Sequence, residues 1–199
     1  PTQFATTPGH FTQSGAKEET PCAPGTYTTE TAQTSCLDCP VGSYCQNQST
    51  TVFAPCPIGF YCPIRTSTPV ACPSGTFGTR GSLTNSSDCQ PCTPGSYCGS
   101  PGGTTVSGPC QQGYYCAGGA STPTPTDGVT GAQCPAGFYC GSGTHTPAPC
   151  SIGTIRTSVG AQVLGDCSQC PAGSFCNDTG LASASGPCQA GYSCPAGST

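Results

Sequence analysis

Apolar residues in this chain follow neither a helical nor a long-strand rhythm. No stretch repeats them at three- and four-residue spacing, which removes amphipathic helices, and any strands are only about two to four residues long. The larger side chains gather instead in one short motif, Cys39-Pro40-Val41-Gly42-Ser43-Tyr44-Cys45. It recurs at residues 56–62, 92–98, 110–116, 134–140, 170–176 and 188–194, and these copies hold most of the cysteines and aromatics. Five residues between two cysteines leave room for one tight turn. The shared glycine (Gly42, Gly59, Gly95, Gly113, Gly137, Gly173, Gly191) is therefore expected at positive φ. The ring before the second cysteine (Tyr44, Tyr61, Tyr97, Tyr115, Tyr139, Phe175) is expected to cover a disulfide as a one-residue core rather than to form a row of exposed stacking rings. The last copy breaks the rule, with Ser193 there and Tyr192 one place earlier.

Composition decides what kind of core is available. Leu, Ile, Val and Phe make up about a ninth of the 199 residues, too little for a conventional hydrophobic core. Gly and Pro supply 29 and 22 residues, so without cross-links the chain reads as disordered. Twenty cysteines, an even number set among Gly and Pro, turn that reading into a disulfide scaffold. Closing a loop of about 15 residues removes roughly 3 kcal/mol of unfolded-chain entropy, so about ten closures replace the missing core. Such a density of disulfides places the chain outside the cytosol, secreted or on a cell surface. The expected fold class is small and disulfide-rich: an elongated rod of tandem modules with short β-hairpins and turns and almost no helix.

The modules follow from the repeats. Residues 1–21 lack cysteine and carry the one charge run, Lys17-Glu18-Glu19; they read as an extended lead-in. Residues 22–71 form a first Cys-rich module with a linker. Residues 72–133 form a second with a Thr/Pro-rich insert, where Ser121-Thr122-Pro123-Thr124-Pro125-Thr126 favours stiff polyproline II. Residues 134–149 add an extra C-x5-C unit and a linker, and residues 150–199 a third module. Cys72, Cys89, Cys92, Cys98, Cys110 and Cys116 each recur 78 positions later, so the third module is an incomplete copy of a 78-residue repeat. The chain opens at Pro1 without a signal peptide and stops inside a repeat, the expectation for a processed or partial product of a longer gene.

Only 12 residues are charged, and the net charge is −4. Lys17, Arg65, Arg80 and Arg156 form no basic cluster, which excludes nucleic acid as a partner. No apolar run approaches the ~20 residues of a membrane span. Three C-x2-C pairs (Cys36/Cys39, Cys89/Cys92, Cys167/Cys170) lack the surroundings of a zinc or redox site. His10 and His145 have no acid and nucleophile nearby in sequence. Asp88 and Asp166, repeat-equivalent and each just before a cysteine, read as turn caps rather than calcium ligands. No catalytic residue, metal ligand or cofactor site is expected, and an enzyme is not.

Glycan signals are stronger. Asn47-Gln48-Ser49, Asn85-Ser86-Ser87 and Asn177-Asp178-Thr179 are N-glycosylation acceptors. Thr122, Thr124, Thr126, Thr144 and Thr146 lie in Thr-Pro tracts like those of O-glycosylated stalks. Covalent N- and O-linked sugar on a surface with 52 Ser and Thr residues accounts for solubility without charge.

The run C-x2-G-T-[YF], a loop, C-x2-C-P-x-G-[ST]-[YF]-C is carried by Cys22-Ala23-Pro24-Gly25-Thr26-Tyr27 with residues 36–45, and recurs from Cys72 and, with Ile155 in the aromatic's place, from Cys150. Over residues 22–194 it resembles the ephrin-receptor-like cysteine-rich repeats, relatives of tumour necrosis factor receptor modules. It also resembles the tandem repeats of mastigoneme-like proteins of protist and algal surfaces. The resemblance to receptor modules implies the pairs Cys22–Cys36, Cys39–Cys56, Cys45–Cys62, Cys72–Cys89, Cys92–Cys110, Cys98–Cys116, Cys150–Cys167, Cys170–Cys188 and Cys176–Cys194, with Cys134–Cys140 left to each other. Six cysteines alone allow about 15 connectivities, and these modules depart from the receptor pattern in having five residues between the third and fourth cysteines. The expected role is a structural glycoprotein segment of an extracellular filament, flagellar hair or coat, partnered by copies of itself. A ligand-binding receptor or adhesin ectodomain and a protist surface antigen are the alternatives.

Overall fold

The computed structural model describes residues 5–199. Among these, the fold is small, disulfide-rich and built from hairpins. Its strands are two or three residues long, and its only helical turns are two three-residue 3-10 segments, Ser86–Asp88 and Leu164–Asp166. No helix is long and apolar enough to cross a membrane among the described residues. Cysteine is the core: most fully buried side chains are cysteines, and no cysteine is free.

The C-x5-C motif folds as a closed turn, here called a rung. Gly42, at φ +75°, turns the chain back so that Cys39 and Cys45 approach to 6.0 Å between Cα atoms and bond to each other. That separation lies inside the range a disulfide needs. Every C-x5-C copy closes this way: Cys39–Cys45, Cys56–Cys62, Cys92–Cys98, Cys110–Cys116, Cys134–Cys140, Cys170–Cys176 and Cys188–Cys194. Six of the pairs carried over from receptor modules are thereby corrected. Cys39–Cys56, Cys45–Cys62, Cys92–Cys110, Cys98–Cys116, Cys170–Cys188 and Cys176–Cys194 do not form, because the turn at the central glycine brings each cysteine to the other end of its own rung. Cys134–Cys140 is one of seven self-closed rungs rather than an exception. Where a rung has no second cysteine, the first reaches across a longer loop: Cys22–Cys36, Cys72–Cys89 and Cys150–Cys167.

The last residues of a rung pair antiparallel with the two or three residues preceding the next rung. Ser43 and Tyr44 face Pro55 and Ala54, Ser96 and Tyr97 face Pro109 and Gly108, and Ser174 and Phe175 face Pro187 and Gly186. Proline is tolerated there because a two-stranded ribbon leaves one edge of each strand unpaired.

The chain divides into two compact units. One comprises Pro1–Pro73, Phe77–Gln90 and Pro101–Thr105; the other comprises Ser74–Thr76, Pro91–Ser100 and Val106–Thr199. In the first unit the rungs are residues 6–12, 22–28, 39–45 and 56–62. The first of these corrects the extended lead-in expected for residues 1–21, of which residues 1–4 lie outside the described residues. Thr6 to Thr12 is a rung without cysteine. Gly9 holds φ +85°, and His10–Phe11 pairs with Thr20–Pro21. In the second unit the rungs are residues 92–98, 110–116, 134–140, 150–156, 170–176 and 188–194. The Thr-Pro tract also differs from an extended spacer. Pro125 is buried, the Gln111 N–H donates to the Pro123 carbonyl at 2.9 Å, and Gly131–Gln133 returns to pair with Tyr114–Cys116.

Candidate functional site

No side-chain constellation dominates this molecule; the feature that recurs is a backbone ladder. In the first unit, the Gly42 N–H donates to the Cys62 carbonyl at 2.8 Å, and the Cys56 N–H donates to the Gly42 carbonyl at 2.9 Å. The Arg65 N–H donates to the Cys39 carbonyl, and the Cys45 N–H to the Thr66 carbonyl, both at 2.9 Å. The same four bonds join residues 6–12 to 22–28 and 22–28 to 39–45. In the second unit they join each successive pair of rungs from 92–98 to 188–194, with Arg156 standing in for a second cysteine. Each rung thus meets its neighbour through main-chain groups, which any sequence supplies.

Two positions per step demand a left-handed backbone. One is the central glycine. The other is the loop residue whose N–H closes the third bond: Ala32, Ser49, Arg65 and Ser82 in the first unit, at φ between 56° and 63°, and Gly119, Gly143, Gly160, Gly180 and Gly197 in the second. The central glycine is also a close approach. A methyl built on Gly42 would lie 2.8 Å from the Ser82 carbonyl oxygen, two rungs on, and one on Gly153 would lie 2.7 Å from that of Gly197.

Aromatic packing runs between rungs. Tyr97 and Tyr114 lie against the Cys110–Cys116 disulfide and Ala120, and Tyr61 against Cys72, Leu83 and Cys89. Ile155, in the aromatic's place, lies on Cys170 and Cys176. The rings before the second cysteine are half-buried, and those of Tyr61 and Tyr97 lean on the following rung. Tyr192, in the last copy, is 74% exposed.

The carboxylates act as caps. The Thr84 N–H, the Thr84 hydroxyl and the Asn85 N–H all donate to Asp88, holding its carboxyl below the ordinary range. The Gln162 and Val163 N–H groups do the same for Asp166. Asp127 is lowered by the Thr130 hydroxyl and the Val129 and Thr130 N–H groups, and Glu19 by the Thr7 N–H and hydroxyl. Among the described residues, no group of three or more His, Cys, Asp and Glu is arranged to hold a metal ion.

One network lay beyond the reach of the sequence. The Ser49 hydroxyl is 3.1 Å from His10 Nε2, His10 Nδ1 is 3.1 Å from the Thr7 hydroxyl, and that hydroxyl donates to Glu19 at 2.9 Å. The acid and hydroxyl that His10 lacks nearby in sequence are therefore supplied in space. The Ser49 N–H is already bonded to the Cys22 carbonyl, so it does not serve as an oxyanion donor. The chain thus gains a polar tie between the first rung and a loop two rungs on.

Asn47, Asn85 and Asn177 are all exposed. Asn85 begins the 3-10 turn, its Oδ1 accepting from the Ser87 N–H. In the first acceptor sequence, the Ser49 hydroxyl is engaged by His10 once folded. Thr122, Thr126 and Thr146 are exposed, while Thr124 and Thr144 are half-buried. The Thr144 hydroxyl donates to the Gly141 carbonyl at 2.8 Å, as that of its counterpart Thr66 does to Pro63. No protein-family model matches the chain, and no curated protein matches it significantly.

Proposed function

We propose that this chain is a structural glycoprotein segment of an extracellular filament, flagellar hair or surface coat. The observation that carries the reading is the ladder: the same four main-chain bonds repeat from rung to rung while the side chains around them vary. A surface devoted to one ligand would instead concentrate distinctive aromatic or charged anchors. Here Tyr61, Tyr97 and Tyr114 pack on disulfide cysteines, and among the described residues one ion pair, Arg65 with Asp38 at 3.2 Å, stands alone at the surface. Disulfides lock each turn, the ladder joins turns into a stack within each unit, and sugar on Asn47, Asn85 and Asn177 supplies the hydration that charge does not. Twenty bridged cysteines favour an oxidising, extracellular setting.

Electron microscopy of the material secreted by cells producing this chain tests the reading. Ordered fibres or sheets containing it are the expected result. Dispersed single molecules that capture a soluble ligand with nanomolar affinity would refute it.

A further inference from the structure

The ladder runs through one of the three N-glycosylation acceptors and past another. In Asn47-Gln48-Ser49 the hydroxyl-bearing residue is itself the left-handed loop position, at φ +56°. Its N–H donates to the Cys22 carbonyl at 3.0 Å, and the next residue, Thr50, accepts from the Thr28 N–H at 3.2 Å. The Ser49 hydroxyl lies 3.1 Å from His10 Nε2. The Ser49 main chain sits under the rung at residues 6–12, where a methyl built on Gly9 would collide with its carbonyl oxygen. In Asn177-Asp178-Thr179 the loop position is Gly180, one residue past the acceptor, and it is the Gly180 N–H that donates to the Cys150 carbonyl, at 2.9 Å. The acceptor's own N–H groups bond only within the loop, Asn177 to the Ser185 hydroxyl at 3.2 Å and Thr179 to Asp178 at 2.7 Å. The Thr179 hydroxyl has no hydrogen-bond partner among the described residues, and all three acceptor residues are exposed. This openness is a property of the repeat, since residues 99–101, 78 positions earlier and well inside the chain, are exposed too. In Asn85-Ser86-Ser87 the Ser87 hydroxyl is engaged, but by the Asn85 carboxamide within one 3-10 turn and outside the ladder.

We propose that Asn47 takes its sugar only before the first three rungs stack, whereas Asn177 stays modifiable in the folded chain. The inference rests on the glycoprotein part of the reading above and fixes the order of modification and folding at one site. In the transfer, Asn Nδ2 attacks the anomeric carbon of a saccharide linked to a lipid pyrophosphate. The C–N bond forms as the C–O bond to the pyrophosphate breaks. The pyrophosphate leaves with the bonding pair, and one Nδ2 proton passes to a base of the transferase. The hydroxyl two residues on is part of what the transferase reads, which is why the acceptor is Asn-x-Ser/Thr. Presenting Ser49 from the folded chain breaks three bonds together: Ser49 N–H to Cys22, Thr28 N–H to Thr50, and Ser49 hydroxyl to His10. It also lifts the loop from under Gly9. Three such bonds leave an open fraction of about a hundredth or less. Once the sugar is attached, Ser49 is released to the ladder, and the exposed Asn47 carries the sugar in solvent.

The register of acceptor and ladder supplies the test. Gln46, Asn47 and Gln48 are all exposed. The triple substitution Gln46→Asn, Asn47→Gln and Gln48→Thr moves the acceptor one residue upstream. It then ends just before Ser49, as the third-module acceptor ends just before Gly180. The full chain and the triple variant are produced in a bacterial periplasm, where disulfides form and this sugar is not added. Free-thiol titration shows each to be fully bridged. Each is then incubated with a purified oligosaccharyltransferase and its lipid-linked saccharide, once bridged and once reduced and alkylated. Occupancy at each site is followed by peptide mass spectrometry.

In the reduced and alkylated chain, Asn47 and Asn177 should be modified at comparable rates. In the bridged chain Asn177 should keep its rate while Asn47 slows about a hundredfold or more. In the bridged triple variant the residue-46 site should be modified as fast as Asn177. If bridged Asn47 matches Asn177, or the bridged variant stays as slow as Asn47, the ladder does not close the acceptor; the ordering is wrong while the glycoprotein reading stands. If bridging slows Asn177 as much as Asn47, the ordering falls in the same way. If neither asparagine is modified even in the reduced chain, the glycoprotein reading falls with it.

Discussion

Replacing Gly42 by alanine isolates the close approach on which the ladder depends. Two costs are readable from the structure. Gly42 holds φ +75°, where a side chain costs about 1–2 kcal/mol. The new methyl would also sit 2.8 Å from the Ser82 carbonyl oxygen, closer than real contacts allow, so main chain must shift by a few tenths of an ångström. That shift loads three bonds at once: Gly42 N–H to Cys62 at 2.8 Å, Cys56 N–H to Gly42 at 2.9 Å, and Ser82 N–H to Cys56 at 2.9 Å. Loosening them adds about 1–2 kcal/mol, given a net worth of about 1 kcal/mol each. Gly42→Ala should therefore cost about 2–4 kcal/mol. Gly128→Ala, with the same backbone demand and no contact, should cost about 1–2 kcal/mol. Amide hydrogen exchange with disulfides intact is the assay, because it reads the opening free energy at Cys56 and Ser82 directly. A protection loss at Cys56 in Gly42→Ala no larger than that at the residue-128 amide, which donates to the Gly131 carbonyl, in Gly128→Ala would show that positive φ alone matters and that the two-rung contact has no energetic content.

Two further outcomes follow from the bridges and the caps. Removing Cys72–Cys89, with a sequence separation of 17, should cost about 3 kcal/mol, against about 2 kcal/mol for Cys134–Cys140, with a separation of 6. Denaturant midpoints of the two double Cys→Ser variants check that order, and a larger loss from the short bridge would overturn the chain-entropy account. Asp88 has a folded pKa depressed by its Thr84 and Asn85 donors, so its contribution is present in full above its unfolded value of about 4 and is lost as pH falls through the folded value. Exchange at the Thr84 amide should accelerate, relative to a distant ladder amide, as pH is lowered below about 4. In Asp88→Asn that acid sensitivity should vanish; its persistence would mean the carboxylate is not the cap.

What the sequence made legible was what is local. The turn at Gly42 depends on residues 39 to 45 alone, and so did its expected positive φ. The pairing of cysteines was not legible, because Cys39 has Cys45 and Cys56 at comparable reach in a chain of tandem turns. What decides between them is the turn itself: Gly42, at φ +75°, folds residues 39–45 back until the Cys39 and Cys45 Cα atoms lie 6.0 Å apart, so each cysteine meets the other end of its own rung first. The first rung was hidden for the opposite reason. Thr6-Thr7-Pro8-Gly9-His10-Phe11 repeats the Pro-Gly-x-aromatic order of Cys22-Ala23-Pro24-Gly25-Thr26-Tyr27, but without cysteine it carried no flag. The second left-handed position was visible only where evolution placed glycine. Gly119, Gly143, Gly160, Gly180 and Gly197 mark it in the second unit, whereas Ala32, Ser49, Arg65 and Ser82 conceal it in the first. That a rung without a disulfide keeps all four ladder bonds has a consequence for the chemistry of the fold. The bridges stabilise each turn, but main-chain donors and acceptors define the stacking, so side chains between the glycines are left free to vary. A sequence with few large apolar residues can therefore still specify one structure, and its solvent-facing positions remain available for sugar and for contacts between molecules.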